Sequence, residues 1–176
     1  MKIENQASPK GGDILLYRGK GFVSHMIKIV TKSCFSHAAW YLGDGNLLES
    51  DWSLFGKKGV QVNAIEKYKR DRVTFIRLNL PEGEVEKAVT LALLKEGQRY
   101  DFSLFFSLFR AWLLRILSLG KLGKLRDQSH GWICSELVAR PLFETSGFSF
   151  GHGPVEEVVP ETIWQEALTT DRAGWF

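Results

Sequence analysis

One of the two cysteines in the chain, Cys134, stands in the stretch WICSELV, next to a small hydroxyl residue. It lies where the apolar periodicity of a predicted helix begins, and the positive end of a helix lowers the pKa of a thiol. A free thiol has a pKa of about 8.5, so this position would increase the thiolate fraction at neutral pH. The pattern fits a nucleophile, but it also fits a buried apolar side chain or a metal ligand.

A cysteine nucleophile also needs an imidazole, and His37 opens the segment HAAWYLGDGNLLESDW. Two strand-like runs flank residues 43–45 there, which is typical of a β-hairpin. With a three-residue loop, His37 faces Asp51, and Glu49 lies diagonally beside His37 on the same face. With a two-residue loop the parity reverses and both acids point away. We predict the three-residue loop, because Asp-Gly follows another glycine.

These residues together predict acyl-transfer chemistry. Cys134 is the candidate nucleophile, His37 the general base and then acid, and Glu49 the group that orients the imidazole. Backbone N–H groups at the start of the cysteine helix could bind an oxyanion. The expected reaction is hydrolysis of an amide or ester through a thioester intermediate.

A metal site is the alternative for the same residue types. Cys34 is three residues before His37, and on one extended strand the two would face opposite sides. The sequence contains no C-x-x-C pair. We therefore predict neither a metal nor another cofactor, and we assign structural roles to His25, His130 and His152.

The surrounding elements predict an α+β domain. Apolar runs predict strands at 13–19, 60–65 and 73–80, in addition to the hairpin. Helical periodicity and end signals predict helices at 22–32, 84–97 and 132–147, with a further helix beginning at Pro160. Pro141 is expected to bend or end the cysteine helix.

Length and charge narrow the classes of function. The chain has 176 residues, 44% of them hydrophobic, which suits a single domain over 1–176 with a loose arm at 1–12. The net charge of +3 is too small to indicate nucleic-acid binding, and no nucleic-acid motif is present. Two distant cysteines make no disulfide framework, although a single Cys34–Cys134 bridge stays open. The first residues lack an apolar leader, so we expect a cytoplasmic protein, although release by lysis or packaging in a phage particle would leave the same pattern.

Residues 102–126 form an apolar and basic insert. The segment has five basic residues and no acidic one. Two arginines fall inside an apolar span of only about 18 residues, which argues against a membrane-spanning helix. Packing over the sheet, a homodimer contact, peripheral membrane contact or a wall for an acyl chain would each account for it.

The order of motifs resembles a known family. GDIL, SHAAWYLGDG, LLES, RYDF and WICSELV follow one another between about residues 12 and 168. This order is similar to that of the circularly permuted branch of the NlpC-type papain-like superfamily, and in particular to the YiiX-like proteins. The resemblance implies an α+β fold with a small antiparallel sheet packed on a cysteine-bearing helix.

The resemblance also implies a site and an activity. It assigns the family's cysteine, histidine and third polar residue to Cys134, His37 and Glu49, and it places Tyr100 near the site. With Tyr100, we predict substrate contacts for Trp132, Ser135 and Asp51. The implied protein is a thiol hydrolase that cleaves amide bonds of a small peptide-like substrate, for example one derived from the cell wall. The alternatives are a lipid-directed acyl hydrolase or acyltransferase, and a non-catalytic module that binds a ligand or a membrane.

Overall fold

The computed structural model describes residues 8–52, 58–100, 132–171 and 173–175. Within these ranges the chain forms six strands and four α-helices, which confirms the predicted α+β class. In chain order they are β1 (Ile14–Tyr17), α1 (Phe22–Thr31), β2 (His37–Gly43), β3 (Asn46–Trp52), β4 (Lys58–Ala64), β5 (Val73–Leu78), α2 (Glu82–Leu93), α3 (Cys134–Ser146), α4 (Pro160–Thr169) and β6 (Ala173–Trp175).

The predicted strands and helices all occur, with ends shifted by a few residues, and β6 is an addition that the sequence pattern did not suggest. Residues 1–7 of the predicted arm and the whole insert at 102–126 lie outside the described residues. In the parts of the chain that the structure describes, no helix is long and apolar enough to cross a membrane.

One antiparallel sheet carries the fold, with strand order β4-β3-β2-β1-β5-β6. The main core lies between one face of this sheet and the helices α2, α3 and α4. There Trp40 of β2 joins Leu137 of α3 and Ile163 of α4, all fully or almost fully buried. The other face carries a smaller cluster around Leu15 and Tyr41, with aromatic side chains at its margin.

The β2–β3 hairpin has the predicted register, but a different turn produces it. The turn contains two residues, Asp44 and Gly45, both with positive φ. A register shift next to Gly43, whose φ is 94°, adds one residue to β2 and restores the parity that a two-residue turn would reverse. Trp40 therefore pairs with Leu48, as the three-residue loop required. The predicted loop length was wrong, because the bulge rather than the loop sets the register.

Helix α3 begins at Cys134, after an extended Ile133, and runs through Pro141 to Ser146. We predicted that Pro141 would bend or end the helix, but the helix does not end there. Proline removes the N–H that would bond to the carbonyl of Leu137. In this structure the indole of Trp40 donates to that carbonyl instead, and Gly147 in the left-handed region ends the helix.

Candidate active site

His37 and Glu49 form a close, largely buried pair on the hairpin. The Nε2 atom of His37 lies 2.6 Å from Oε2 of Glu49. The Glu49 side chain is fully buried, and 12% of the His37 side chain is exposed. Adjacent antiparallel strands bring the two side chains together diagonally, as the hairpin register predicts. Of the two acids predicted to share a face with His37, Glu49 is the one whose carboxylate bonds to Nε2.

The buried carboxylate of Glu49 has three further donors. Asn63 donates to Oε1 at 2.8 Å, the ammonium of Lys67 contacts the same oxygen, and the hydroxyl of Tyr68 donates to Oε2 at 2.5 Å. Burial by itself raises the pKa of Glu49, but the hydrogen bond and charge of His37 and the charge of Lys67 outweigh it and lower that pKa to about 2. Glu49 is therefore held as an anion.

Tyr68 covers the bond between the imidazole and the carboxylate. Its ring stacks against His37, with centroids 5.8 Å apart and planes inclined by 28°. Tyr17 packs on Tyr68 with a centroid separation of 4.5 Å. Burial and the nearby charge of Glu49 raise the pKa of Tyr68, so its hydroxyl stays protonated and can donate.

Cys134, the first residue of α3, meets His37 at the start of β2. Burial raises the pKa of the Cys134 thiol, but the charge of His37 and a hydrogen bond to it outweigh this effect and lower that pKa. Backbone N–H groups of Ala38 and Ser135 also favour the thiolate. The sulfur is therefore surrounded by donors, at the helix end where an anion is favoured.

The imidazole of His37 responds in the opposite direction. Burial lowers the pKa of His37, but the charge of Cys134, the hydrogen bond to the sulfur and the contact with Glu49 raise it to about 10. Because Nε2 is bonded to Glu49, Nδ1 is the ring nitrogen left for the sulfur. At neutral pH this arrangement favours a thiolate–imidazolium pair.

The predicted substrate contacts have different surroundings. Trp132, two residues before α3, pairs with Tyr100 in an isolated parallel bridge. The carbonyl of Trp132 accepts a 2.5 Å hydrogen bond from Ser50. Asp51 contacts the ammonium of Lys67 at 2.9 Å, with 28% of its side chain exposed. For Trp132, Tyr100 and Asp51, contact with a substrate stays a prediction.

Ser135 follows Cys134 in helix α3. Its side chain is buried, and its hydroxyl donates to the carbonyl of Val158 at 2.6 Å. The side chain therefore ties α3 to the segment before α4, and a contact between Ser135 and a substrate stays a prediction. The N–H of Ser135 is its part of the site, because it faces the Cys134 sulfur.

Sequence reasoning missed Asn63, Lys67 and Tyr68. Asn63 had a usable signal: β4 was predicted, and pairing of Glu49 with Gln61 puts Asn63 diagonally beside Glu49. Lys67 and Tyr68 lie in a 3-10 turn and the bend after it, and no spacing rule points from there to a buried carboxylate.

The other titratable candidates lie apart from this cluster or outside the described residues. Both cysteines are free, and Cys34 is exposed, so the open disulfide between them is not formed. His25 and His152 are exposed, whereas His130 lies outside the described residues. Over the ranges that the structure describes, no three His, Cys, Asp or Glu side chains are grouped as a metal site.

The fold and site together define an α+β protein with one antiparallel sheet. At the N-terminus of one helix, a thiol contacts an imidazole, which in turn contacts a carboxylate. A solved structure with this fold is that of the metalloprotein yiiX from Escherichia coli O157:H7. The two share 14% sequence identity over 96% of each chain, with a TM-score of 0.62. This likeness shows a YiiX-like fold and no more. No family model and no curated protein matches the chain.

Proposed function

We propose that the protein is a thiol hydrolase that uses Cys134 as nucleophile, His37 as acid and base, and Glu49 to orient the imidazole. One observation carries the proposal: Cys134 and His37 are in contact, and the pKa of the thiol is lowered while that of the imidazole is raised. Perturbed pKa values with specific charged partners are typical of catalytic groups. The permuted papain-like architecture is part of the same proposal.

The first step forms a thioester. The Cys134 thiolate attacks the carbonyl carbon of an amide, a C–S bond forms, and the carbonyl electron pair moves to oxygen. N–H groups in the first turn of α3 have no intrahelical partner and can stabilise that oxyanion. The proton on Nδ1 of His37 passes to the leaving nitrogen, the C–N bond breaks and an amine departs.

The second step returns the enzyme to its starting state. Neutral His37 takes a proton from water, and the resulting hydroxide attacks the thioester carbon. The C–S bond breaks, the carboxylic acid leaves, and the thiolate–imidazolium pair forms again. Glu49 stays ionised throughout, because four donors surround its carboxylate.

We propose a small peptide-like amide as the substrate, with fragments of the cell wall as the first compounds to examine. Metal chemistry does not enter the proposal. The neighbour yiiX is described as a metalloprotein, but the described residues here do not fit that role. Cys134 and His37 would give a metal ion only two ligands. Glu49 contacts Nε2, on the opposite side of the imidazole, so it cannot be a third ligand at the same point.

Acylation by an activated ester tests the proposal directly. The protein is mixed with p-nitrophenyl acetate, release of p-nitrophenol is followed, and the acyl adduct is located by peptide mass spectrometry. We expect a burst of one equivalent and an acetyl group on Cys134. Cys134→Ala and His37→Ala should abolish both, whereas Cys34→Ala, the matched control, should retain both.

Peptide substrates then test the bond class. A panel of peptide amides, including cell-wall peptides with D-residues, is incubated with wild type and with Cys134→Ala, and free amine is measured. Cleavage that depends on Cys134 supports an amidase. Acylation by the ester at the uncatalysed rate of a free thiol would contradict the proposal and leave a ligand-binding module of the same fold.

A further inference from the structure

A cavity, which we call the basic cleft, lies at the same end of the sheet as His37. It encloses about 550 Å³ between the end of β1, helix α1 and the turn before β5. Four basic side chains line it: Arg18, Lys20, Lys28 and Arg72. The hydrolase chemistry proposed above uses none of them.

The sheet register places the backbone at the edge of this cleft next to that of His37. Tyr17 pairs with His37 on one side and with Val73 on the other. Arg18 follows Tyr17 and Arg72 precedes Val73, so both lie just past the end of this strand pairing. The N–H of Arg18 donates to the carbonyl of Arg72 at 2.9 Å. From strand spacings, the cleft begins roughly 6–10 Å from the backbone of His37.

Hydrogen bonds fix the backbone at this edge of the cleft. The N–H of Gly19 donates to the buried hydroxyl of Ser36 at 3.1 Å, and Lys28 donates to the carbonyl of Gly19 at 2.8 Å. A Cβ at Gly19 would lie 2.2 Å from the hydroxyl oxygen of Ser24 and 2.8 Å from that of Ser36, so a larger residue here would displace these side chains. Strand β1 and helix α1 are thus both bonded beside Ser36, the residue before His37.

Positive charge dominates the cleft. Among the described residues that line it, Asp71 is the acidic one. The charge of Glu161, on α4, raises the pKa of Cys34, which also lines the cleft. The lining thus has four cations and one carboxylate; Arg72 lies 3.9 Å from Asp71, and Lys28 donates to the carbonyl of Gly19. Arginine guanidinium groups bind phosphate and carboxylate oxygens through paired hydrogen bonds. An anion would thus be favoured over a neutral group here.

We propose that the basic cleft binds an anionic group of the substrate, a phosphate ester or a carboxylate, while the acyl carbon lies at Cys134. This inference rests on the proposed function, because it describes the substrate of the same site. It adds a specificity: the preferred amide or ester carries a negative charge a short distance from the bond that breaks.

Matched alkylating probes test this specificity without a known substrate. The probes are iodoacetamides whose amide nitrogen carries a chain of about two to four carbons, to span the distance above, ending in a hydroxyl, a carboxylate or a phosphate. Their electrophiles are the same, so a rate difference at Cys134 reports binding of the end group. The second-order rate constant is measured by peptide mass spectrometry at one ionic strength.

We expect the anionic probes to alkylate Cys134 roughly three- to tenfold faster than the hydroxyl probe. Arg18→Gln and Lys20→Gln, both at exposed positions, should reduce that ratio while leaving the hydroxyl-probe rate unchanged. Lys87→Gln on α2 removes the same charge elsewhere and should keep the ratio. The phosphate and carboxylate arms identify which anion is preferred.

Equal rates for all three probes in the wild type, or a ratio unaffected by Arg18→Gln and Lys20→Gln, would overturn the inference. Binding of inorganic phosphate to Cys134→Ala, followed by ³¹P line broadening, separates the two proposals. If phosphate binding depends on Arg18 but Cys134 reacts only at the rate of a free thiol, the hydrolase proposal is wrong and the anion site stands. A reactive thiol with neither phosphate binding nor faster alkylation by the carboxylate probe would remove the anion site alone.

Discussion

The indole N–H of Trp40 donates a 3.0 Å hydrogen bond to the carbonyl of Leu137, which is the carbonyl that Pro141 leaves without a helical donor. Both partners are buried in the main core. An unpaired carbonyl there would lose its hydrogen bond to water without a replacement. The bond ties the helix that begins with Cys134 to the strand that begins with His37, so it also aligns the two halves of the candidate site.

Trp40→Phe should reveal this coupling. Loss of the donor is expected to lower the free energy of unfolding by about 1–3 kcal/mol, in addition to the loss of packing. Pro141→Ala restores a backbone N–H to the helix, so the double variant should lose less than the sum of the two single variants. Urea unfolding measures all three. Trp164→Phe, an aromatic truncation at the Phe35 and Trp175 rings, should show no such rescue by Pro141→Ala.

Alkylation of Cys134 should begin at a lower pH than alkylation of Cys34. The pKa of Cys134 is lowered from 9.0 by the charge of His37 in spite of burial, whereas burial and Glu161 raise the pKa of Cys34. At a pH of about 6, iodoacetamide should therefore label Cys134 and leave Cys34 largely unmodified. His37→Ala should move the Cys134 profile to higher pH. Equal labelling of both cysteines across the acidic range would contradict the thiolate–imidazolium pair.

Glu49→Gln should change stability on the acid side. The folded pKa of Glu49, about 2, is below the unfolded value of 4.5. Its contribution is therefore fully present above 4.5 and is lost as pH falls from 4.5 toward 2, on the order of 3 kcal/mol in total. Glu49→Gln should have a lower free energy of unfolding at neutral pH. Between pH 4.5 and about 2 its free energy of unfolding should fall less steeply than that of the wild type. Chemical unfolding at several pH values measures it.

Exposed Glu86 on α2 provides the matched control for that experiment. Glu86→Gln makes the same chemical change outside the site, so the acid slope should be retained. An unaltered slope in Glu49→Gln would mean that other carboxylates, rather than Glu49, dominate acid unfolding of this protein.

Tyr68→Phe should separate the hydroxyl from the ring. The substitution keeps the aromatic face against His37 but removes the O–H that donates to Glu49. A hydrogen bond to a charged group contributes about 1.5–3 kcal/mol, so stability should fall by up to that amount at neutral pH. The pKa of Glu49 should rise, and the acid limb of unfolding should move to higher pH. Tyr17→Phe, one ring further away, should leave that limb in place.

Much of the framework could be predicted from sequence because it depends on local signals. Apolar period and end residues identified the strands and helices, since the faces that they bury have regular spacing. The glycine-rich turn in the hairpin indicated that His37 and Glu49 share a face. Even there, the bulge at Gly43 had no sequence rule, and an error in loop length happened to give the right register.

The sequence by itself determined which residue types were available and which neighbours along one strand or helix would share a face: Cys134 at a helix start, and His37 and Glu49 across a hairpin. Only the tertiary structure decided that Cys134 meets His37, that Lys67 and Tyr68 reach a buried carboxylate, and that Ser135 turns into the core. Those contacts join segments whose separation in the chain carries no periodic signal. They are selected by the packing of whole elements, as when Trp40 pairs with Leu137 across 97 residues.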